Sequence, residues 1–190
     1  NCSKSEAIAN ANRLLKEGGA DAVKLEGGTE MAKVAAAIVT AGIPVQGHVG
    51  LTPQTATSLG GFKVQGRDAR AAKKLFDDAR AMEDAGCFSV VLEAIPAPLA
   101  AHITKHLSIP TIGIGAGAQC DGQVLVMHDL LGLYDRFTPK FVKQYSKLSQ
   151  ISLEALSAYK NEVENRSFPA AEHSFEMKEE ELQKLLESIK

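Results

Sequence analysis

The sequence predicts an α/β fold with a parallel sheet, on three observations. Short apolar runs alternate with amphipathic stretches of helical period. Each helical stretch is followed within a few residues by an apolar run, the αβαβ order that implies right-handed crossovers. One run after another ends on glycine or a polar side chain, as strands do where they reach a functional rim.

The elements follow in order. Residues 5–17 carry Ala7, Ile8, Ala11, Leu14 and Leu15 at helical spacing and stop at Gly18-Gly19. Residues 22–25 form an apolar run into Glu26-Gly27-Gly28. Residues 29–40 place Met31, Val34, Ile38 and Val39 on one stripe, and residues 44–47 run into His48. Residues 68–85 put Ala72, Leu75, Phe76, Ala79 and Met82 on one face before Gly86, and residues 88–92 run into Glu93. Pro98 opens a helix over 98–106 at a favourable first-turn position, and residues 110–114 run into Gly115. Residues 123–127 read either as a further strand reached by an abbreviated connection or as the start of a helix. A parallel crossover usually takes about a dozen residues, more than are present here. Residues 138–166 predict a long helix with Phe141, Tyr145, Leu148, Ile151 and Leu156 as its apolar positions. Ser167-Phe168-Pro169 breaks it, and 176–189 is a charged amphipathic helix suited to a surface or a subunit contact. Phe62, Met82 and Met127 are expected in the core.

The chain has 190 residues, 45% of them hydrophobic, and a formal charge of −2. That is enough apolar content for one core, and it offers no basic excess for nucleic acid. No apolar stretch approaches the ~20 residues that span a bilayer. Cys2, Cys87 and Cys120 lie far apart without metal-ligand spacing, which favours a reducing compartment. The first residues lack a signal-peptide pattern, and the missing initial Met leads us to expect further sequence upstream.

If the runs are parallel strands, Glu26, His48 and Glu93 meet at one rim. Two carboxylates and an imidazole there outline a reaction site. Lys24 lies inside an apolar strand, where an unpaired cation is costly, so a partner or ligand is expected. His48 suits a substrate contact or a structural hydrogen bond equally. His128-Asp129 reads as a strand terminus with a helix cap. Gly113-Ile114-Gly115-Ala116-Gly117-Ala118 matches the G-x-G-x-x-G/A dinucleotide pattern, but that pattern needs a helix opening at the glycines. The turn-like Gln119-Cys120-Asp121-Gly122 follows instead, favouring a tight turn over cofactor binding.

Six ordered motifs carry a more specific likeness: Val23-Lys24-Leu25-Glu26-Gly27-Gly28, Gly47-His48-Val49-Gly50-Leu51-Thr52-Pro53-Gln54, and Gly60-Gly61-Phe62-Lys63-Val64-Gln65-Gly66-Arg67, then Val91-Leu92-Glu93-Ala94-Ile95-Pro96, Ile112-Gly113-Ile114-Gly115-Ala116-Gly117, and Asp121-Gly122-Gln123-Val124-Leu125-Val126-Met127-His128-Asp129. Their succession resembles the 3-methyl-2-oxobutanoate (ketopantoate) hydroxymethyltransferase family over about residues 1–175. The resemblance implies a (β/α)8 TIM-type barrel, a Mg²⁺ ion, and 5,10-methylenetetrahydrofolate as co-substrate. It also implies transfer of a hydroxymethyl group to 3-methyl-2-oxobutanoate, a small 2-oxo-acid, for pantothenate and coenzyme A. By the same resemblance Lys24 contacts the oxo-acid, Glu26 belongs to the metal site, and Glu93 is the proton acceptor; His48, on its own chemistry, joins Lys24 as a candidate substrate contact. A homo-oligomer, often a decamer, in the cytoplasm or mitochondrial matrix is implied as well.

The likeness covers only the last five strands of such a barrel. Residues 1–135 correspond to its C-terminal part and 136–190 to C-terminal helices and a tail. The family's upstream strands, with an Asp-Ser pair and a second Asp, have no counterpart here. The alternatives are a Mg²⁺-dependent barrel lyase acting on a small 2-oxo-acid, a dinucleotide-dependent oxidoreductase, or a non-catalytic fragment.

Overall fold

In a computed structural model, residues 3–55 and 63–189 are described, and they divide into two compact units. The first, Asn1–Val126 with Pro139–Val142, holds every strand among the described residues. Its helices are α1 (Lys4–Lys16), α2 (Ala32–Thr40), α3 (Ala69–Asp84) and α4 (Ala97–His106). They alternate with β1 (Val23–Glu26), β2 (Val45–Gly50), β3 (Ser89–Glu93) and β4 (Thr111–Ile114), and β5 (Gly122–Gln123) follows. The five strands are all parallel and lie in the order β1-β2-β3-β4-β5. The α/β class and the parallel sheet are as the sequence predicts.

Local chemistry explains the helix starts. The Ser3 side chain accepts the Glu6 N–H, and Asp68 accepts the Ala71 N–H at 2.8 Å, each capping free donors of a first turn. Pro98 occupies the first turn of α4, where a missing N–H costs nothing.

A monotonic strand order joined by right-handed crossovers puts successive helices on one face of the sheet. Leu25, Val45, Val49, Val90 and Leu92 point that way and share one core with Ala35, Ile38, Ala79, Met82, Ala100 and Ile103. Val45, Val90, Met82 and Ile103 are wholly buried, each contributing about 1.5–3 kcal/mol relative to exposure. Met82 is core as expected, whereas Phe62 lies outside the described residues. Met127 is 59% exposed, contrary to expectation, because it opens the four-residue helix α5 (Met127–Leu130) rather than ending a strand. His128 and Asp129 therefore lie in that helix and not at a strand terminus.

Both readings of 123–127 hold in part: a two-residue strand is followed within four residues by a helix. Loop 115–121 is short because Gly115 and Gly117 take positive φ (63° and 84°) and Asp121 pins the return. The Asp121 carboxylate accepts the Thr111 N–H at 2.8 Å and the Thr111 hydroxyl at 3.0 Å. The Val124 N–H then donates to Gly113 O at 3.0 Å. No helix opens at Gly113–Ala118, so the dinucleotide reading fails on its own requirement.

The second unit, Met127–Thr138 with Lys143–Lys190, contains α5, α6 (Leu148–Glu164) and α7 (Glu179–Ser188). The helix expected over 138–166 begins only at Leu148. Pro139 disfavours a helical residue before it, and the Tyr145 and Leu148 N–H groups donate to Leu130 O and Leu131 O instead of to the preceding turn. Tyr145, Ile151 and Leu156 are exposed at 66%, 55% and 66%, so the apolar period there marks no core within this chain.

The backbone hydrogen bond from Thr111, followed by its hydroxyl, holds the Asp121 carboxyl below its ordinary pKa. This contribution is complete above the unfolded value near about pH 4 and is lost as pH falls through the lower folded value. Asp121→Ala leaves the buried Thr111 N–H unpaired and should cost about 1–3 kcal/mol at neutral pH. Melting curves for both proteins should converge as the pH drops below about 4; a constant gap would assign the loss to packing.

Candidate functional site

Strand register builds the site. Glu26 pairs with His48, His48 with Val91, and Gly50 with Glu93. Neighbours in a parallel ladder share a face, as do alternate residues along a strand. Lys24, Glu26, Gln46, His48, Ser89 and Glu93 therefore share the face opposite the helix-packed core. A charged and polar face on an otherwise apolar parallel sheet is a functional surface, since parallel strands are ordinarily apolar on both sides.

The geometry brings three of the four expected residues together. His48 is 1% exposed, with Nε2 3.0 Å from Glu93 Oε2 and Nδ1 3.8 Å from Glu26 Oε1. The two carboxylate side chains are only 14% and 13% exposed. Although the Nε2 contact is short enough for a hydrogen bond, neither ring nitrogen makes a well-directed one among the described residues. Distance governs the electrostatic attraction and direction governs the hydrogen bond, so we read the contact as a charge–dipole or ion pair. A buried polar ring so poorly satisfied costs about 1–3 kcal/mol.

The backbone at the rim is arranged around these side chains. Glu26 Oε2 accepts the Gln54 N–H at 3.1 Å, and the Gly27 N–H donates to His48 O at 3.0 Å. The Leu51 N–H donates to Glu93 O at 2.9 Å. At Gly50, where φ is +97°, an added Cβ would lie 2.2 Å from Glu93 O, so only glycine fits that approach. Ala94 adopts φ 48° immediately after Glu93, a conformation costing a non-glycine residue about 1–2 kcal/mol. A cleft of about 510 Å³, bordered by Glu26, Gly28, Gln54, Gln65 and Lys74, opens beside Glu26.

Lys24 borders the same cleft as Glu26 but forms no ion pair with the trio. It is exposed on edge strand β1, two residues before Glu26 on the same face, and has no ion-pair partner among the described residues. The cost expected for a buried cation does not arise, because the polar face leaves the ammonium in solvent. Among the described residues no three or more His, Cys, Asp or Glu side chains are grouped to hold a metal ion.

Sequence reasoning missed Gln54 and Ala94 as site residues: Gln54 acts through its backbone and Ala94 through its torsion, neither of which leaves a residue-type signal.

The sequence profile described as ketopantoate hydroxymethyltransferase matches residues 1–171. A 3-methyl-2-oxobutanoate hydroxymethyltransferase of Oleidesulfovibrio alaskensis is 62% identical over 97% of this chain and 64% of its own length. Proteins of the same name from Carboxydothermus hydrogenoformans and Heliobacterium modesticaldum are 58% and 61% identical, over 96% and 95% of this chain and 66% and 65% of theirs. The chain thus spans just under two thirds of the length of these relatives. A putative phosphonomutase from Burkholderia cenocepacia J2315 superposes at a TM-score of 0.32 with 14% identity, over 59% of this chain and 60% of that one, a likeness too slight to inform the fold.

His48→Leu removes a poorly satisfied buried ring and lets both carboxylates turn to solvent. Its melting temperature should equal or exceed that of the unaltered protein. A drop of several degrees would mean that the ring's contacts with Glu26 and Glu93 hold the fold.

Proposed function

The chain belongs to the ketopantoate hydroxymethyltransferase family, and from that premise we propose that it forms the acid–base half of an enzyme that hydroxymethylates 3-methyl-2-oxobutanoate. The observation that carries this reading is the buried His48 ring set between two rim carboxylates. Bond formation beside a ketone needs a base for a weakly acidic C–H, and Glu93 is placed for it. Its backbone is fixed by the Leu51 N–H and the Ala94 turn, so the carboxylate projects from the strand end. His48 Nε2, 3.0 Å from Glu93 Oε2, is placed to share the proton. Lys24, a cation on the same face without an ion-pair partner among the described residues, suits the carboxylate of a 2-oxo-acid. Overall the methylene carbon of 5,10-methylenetetrahydrofolate becomes bonded to C3 of the oxo-acid and to a hydroxyl from water, and both its C–N bonds break. Tetrahydrofolate leaves carrying the C3 proton and the second water proton on its nitrogens, so no protein nucleophile is required.

Mg²⁺ fits the chemistry of the residues present. This ion binds hard oxygens and keeps several waters, needing only one or two protein carboxylates. Glu26 offers one. Such an ion would act as a Lewis acid on the keto oxygen and stabilise the enolate. Residues 1–135 are then the C-terminal part of a (β/α)8 barrel, whose interior is the polar face described above, and 136–190 are its C-terminal helices and tail. Pairing of β1 and β5 with upstream strands would cover edges that otherwise expose unpaired backbone groups. The reading includes a homo-oligomer. It also includes a cytoplasmic or mitochondrial-matrix location, supported by free thiols at Cys87 and Cys120.

Ketopantoate formation by the full-length protein, with Mg²⁺ and the folate supplied, tests the reading. Glu93→Gln should lower turnover about 10²–10⁴-fold while changing the KM for the oxo-acid little. Unchanged turnover would remove Glu93 from the chemistry.

A further inference from the structure

We propose that Asp78 is a positioning residue for divalent-cation binding, holding Glu26 in place through the loop that follows it; this rests on the reading of Glu26 as a metal ligand. Asp78 lies on α3 and is 4% exposed, far from the rim carboxylates in sequence. Its Oδ1 accepts both the Thr29 N–H at 3.0 Å and the Thr29 hydroxyl at 2.9 Å. Its Oδ2 accepts from Lys74 Nζ at 2.6 Å. A buried carboxylate with every oxygen engaged is a fixed point, because losing any partner would leave charge uncompensated.

That fixed point acts on the chain leaving Glu26. Gly27 is tied to β2 through His48 O, and Thr29 is tied to α3 through Asp78. Gly28 lies between the two ties, with its backbone against the carboxylate. A Cβ there would come within 2.1 Å of Asp78 Cγ, although Gly28 does not need a left-handed φ. The close approach, not backbone freedom, therefore calls for glycine at this position. The loop so clamped borders the same cleft as the Glu26 side chain. Asp78 borders the same cleft, but among the described residues both its oxygens are taken by Thr29 and Lys74, so its influence on a bound ion passes through the loop. Outer partners of metal ligands act in this way, and their loss typically weakens the metal about 10–100-fold.

The test titrates Mn²⁺ into the full-length protein and follows the free ion by electron paramagnetic resonance, below the melting transition of each variant. Asp78→Asn keeps one acceptor for Thr29 but sets an amide against the Lys74 ammonium, and should bind Mn²⁺ about 10-fold more weakly or worse. Thr29→Val keeps shape and removes one donor, and should weaken binding about 2–10-fold, the equivalent of one hydrogen bond. It decides the question should Asp78→Asn fail to fold. Glu26→Gln should weaken binding more than either. A folded Asp78→Asn, or in its absence Thr29→Val, with unaltered Mn²⁺ affinity overturns the positioning role while leaving Glu26 as ligand. Unaltered affinity in Glu26→Gln overturns the metal reading itself, and the role of Asp78 with it.

Discussion

The register of three parallel strands is the constraint on which the rim depends. With Glu26 opposite His48 and Glu93 opposite Gly50, one carboxylate lies level with the imidazole and the other two residues beyond it, all on one face. A slip by one residue would turn every side chain of a strand to the other face. His48 would then enter the helix-side core, and Val49 would occupy the rim. That slip is opposed by Val45, Val49, Val90 and Leu92, whose burial against α2 and α3 holds the alternation in phase. The apolar face thus fixes the polar one.

The rim itself is not optimised for stability. His48 is buried without a well-directed hydrogen bond among the described residues, and Ala94 sits in a conformation that alanine disfavours. Both features lie next to Glu93, and strain and poor satisfaction of this kind concentrate where side chains must be aimed. The helix-side core offsets them. Asp78 has the opposite character, with both carboxylate oxygens engaged and a tie from α3 to Thr29 that gives the Gly27-Gly28 turn a defined path.

Much of this was legible in the sequence because two periods do most of the work. Helical spacing ending at Gly18, Gly42 and Gly86, alternating with short apolar runs, marks α1 to α3 and β1 to β3 to within a few residues. The polar residue closing each run gives Glu26, His48 and Glu93. Hidden were features that depend on distant partners. The helix expected from 138 starts ten residues later because the Tyr145 and Leu148 N–H groups find Leu130 and Leu131. The brief β4–β5 connection rests on an Asp121–Thr111 bond that no local pattern announces. An apolar stripe shows that a face can be buried, not that this chain buries it, as exposed Ile151 and Leu156 demonstrate.

The central claim is that Glu93, set against His48, removes a proton from the substrate carbon before any one-carbon unit arrives. Nuclear magnetic resonance of 3-methyl-2-oxobutanoate in deuterium oxide, with full-length protein and Mg²⁺ but no folate, measures that step alone. The account predicts that deuterium replaces the C3 hydrogen at a rate proportional to enzyme, and that replacement with Glu93→Gln falls to the background of the free acid. Exchange at an undiminished rate in that variant would contradict it, and would place the base elsewhere in the protein.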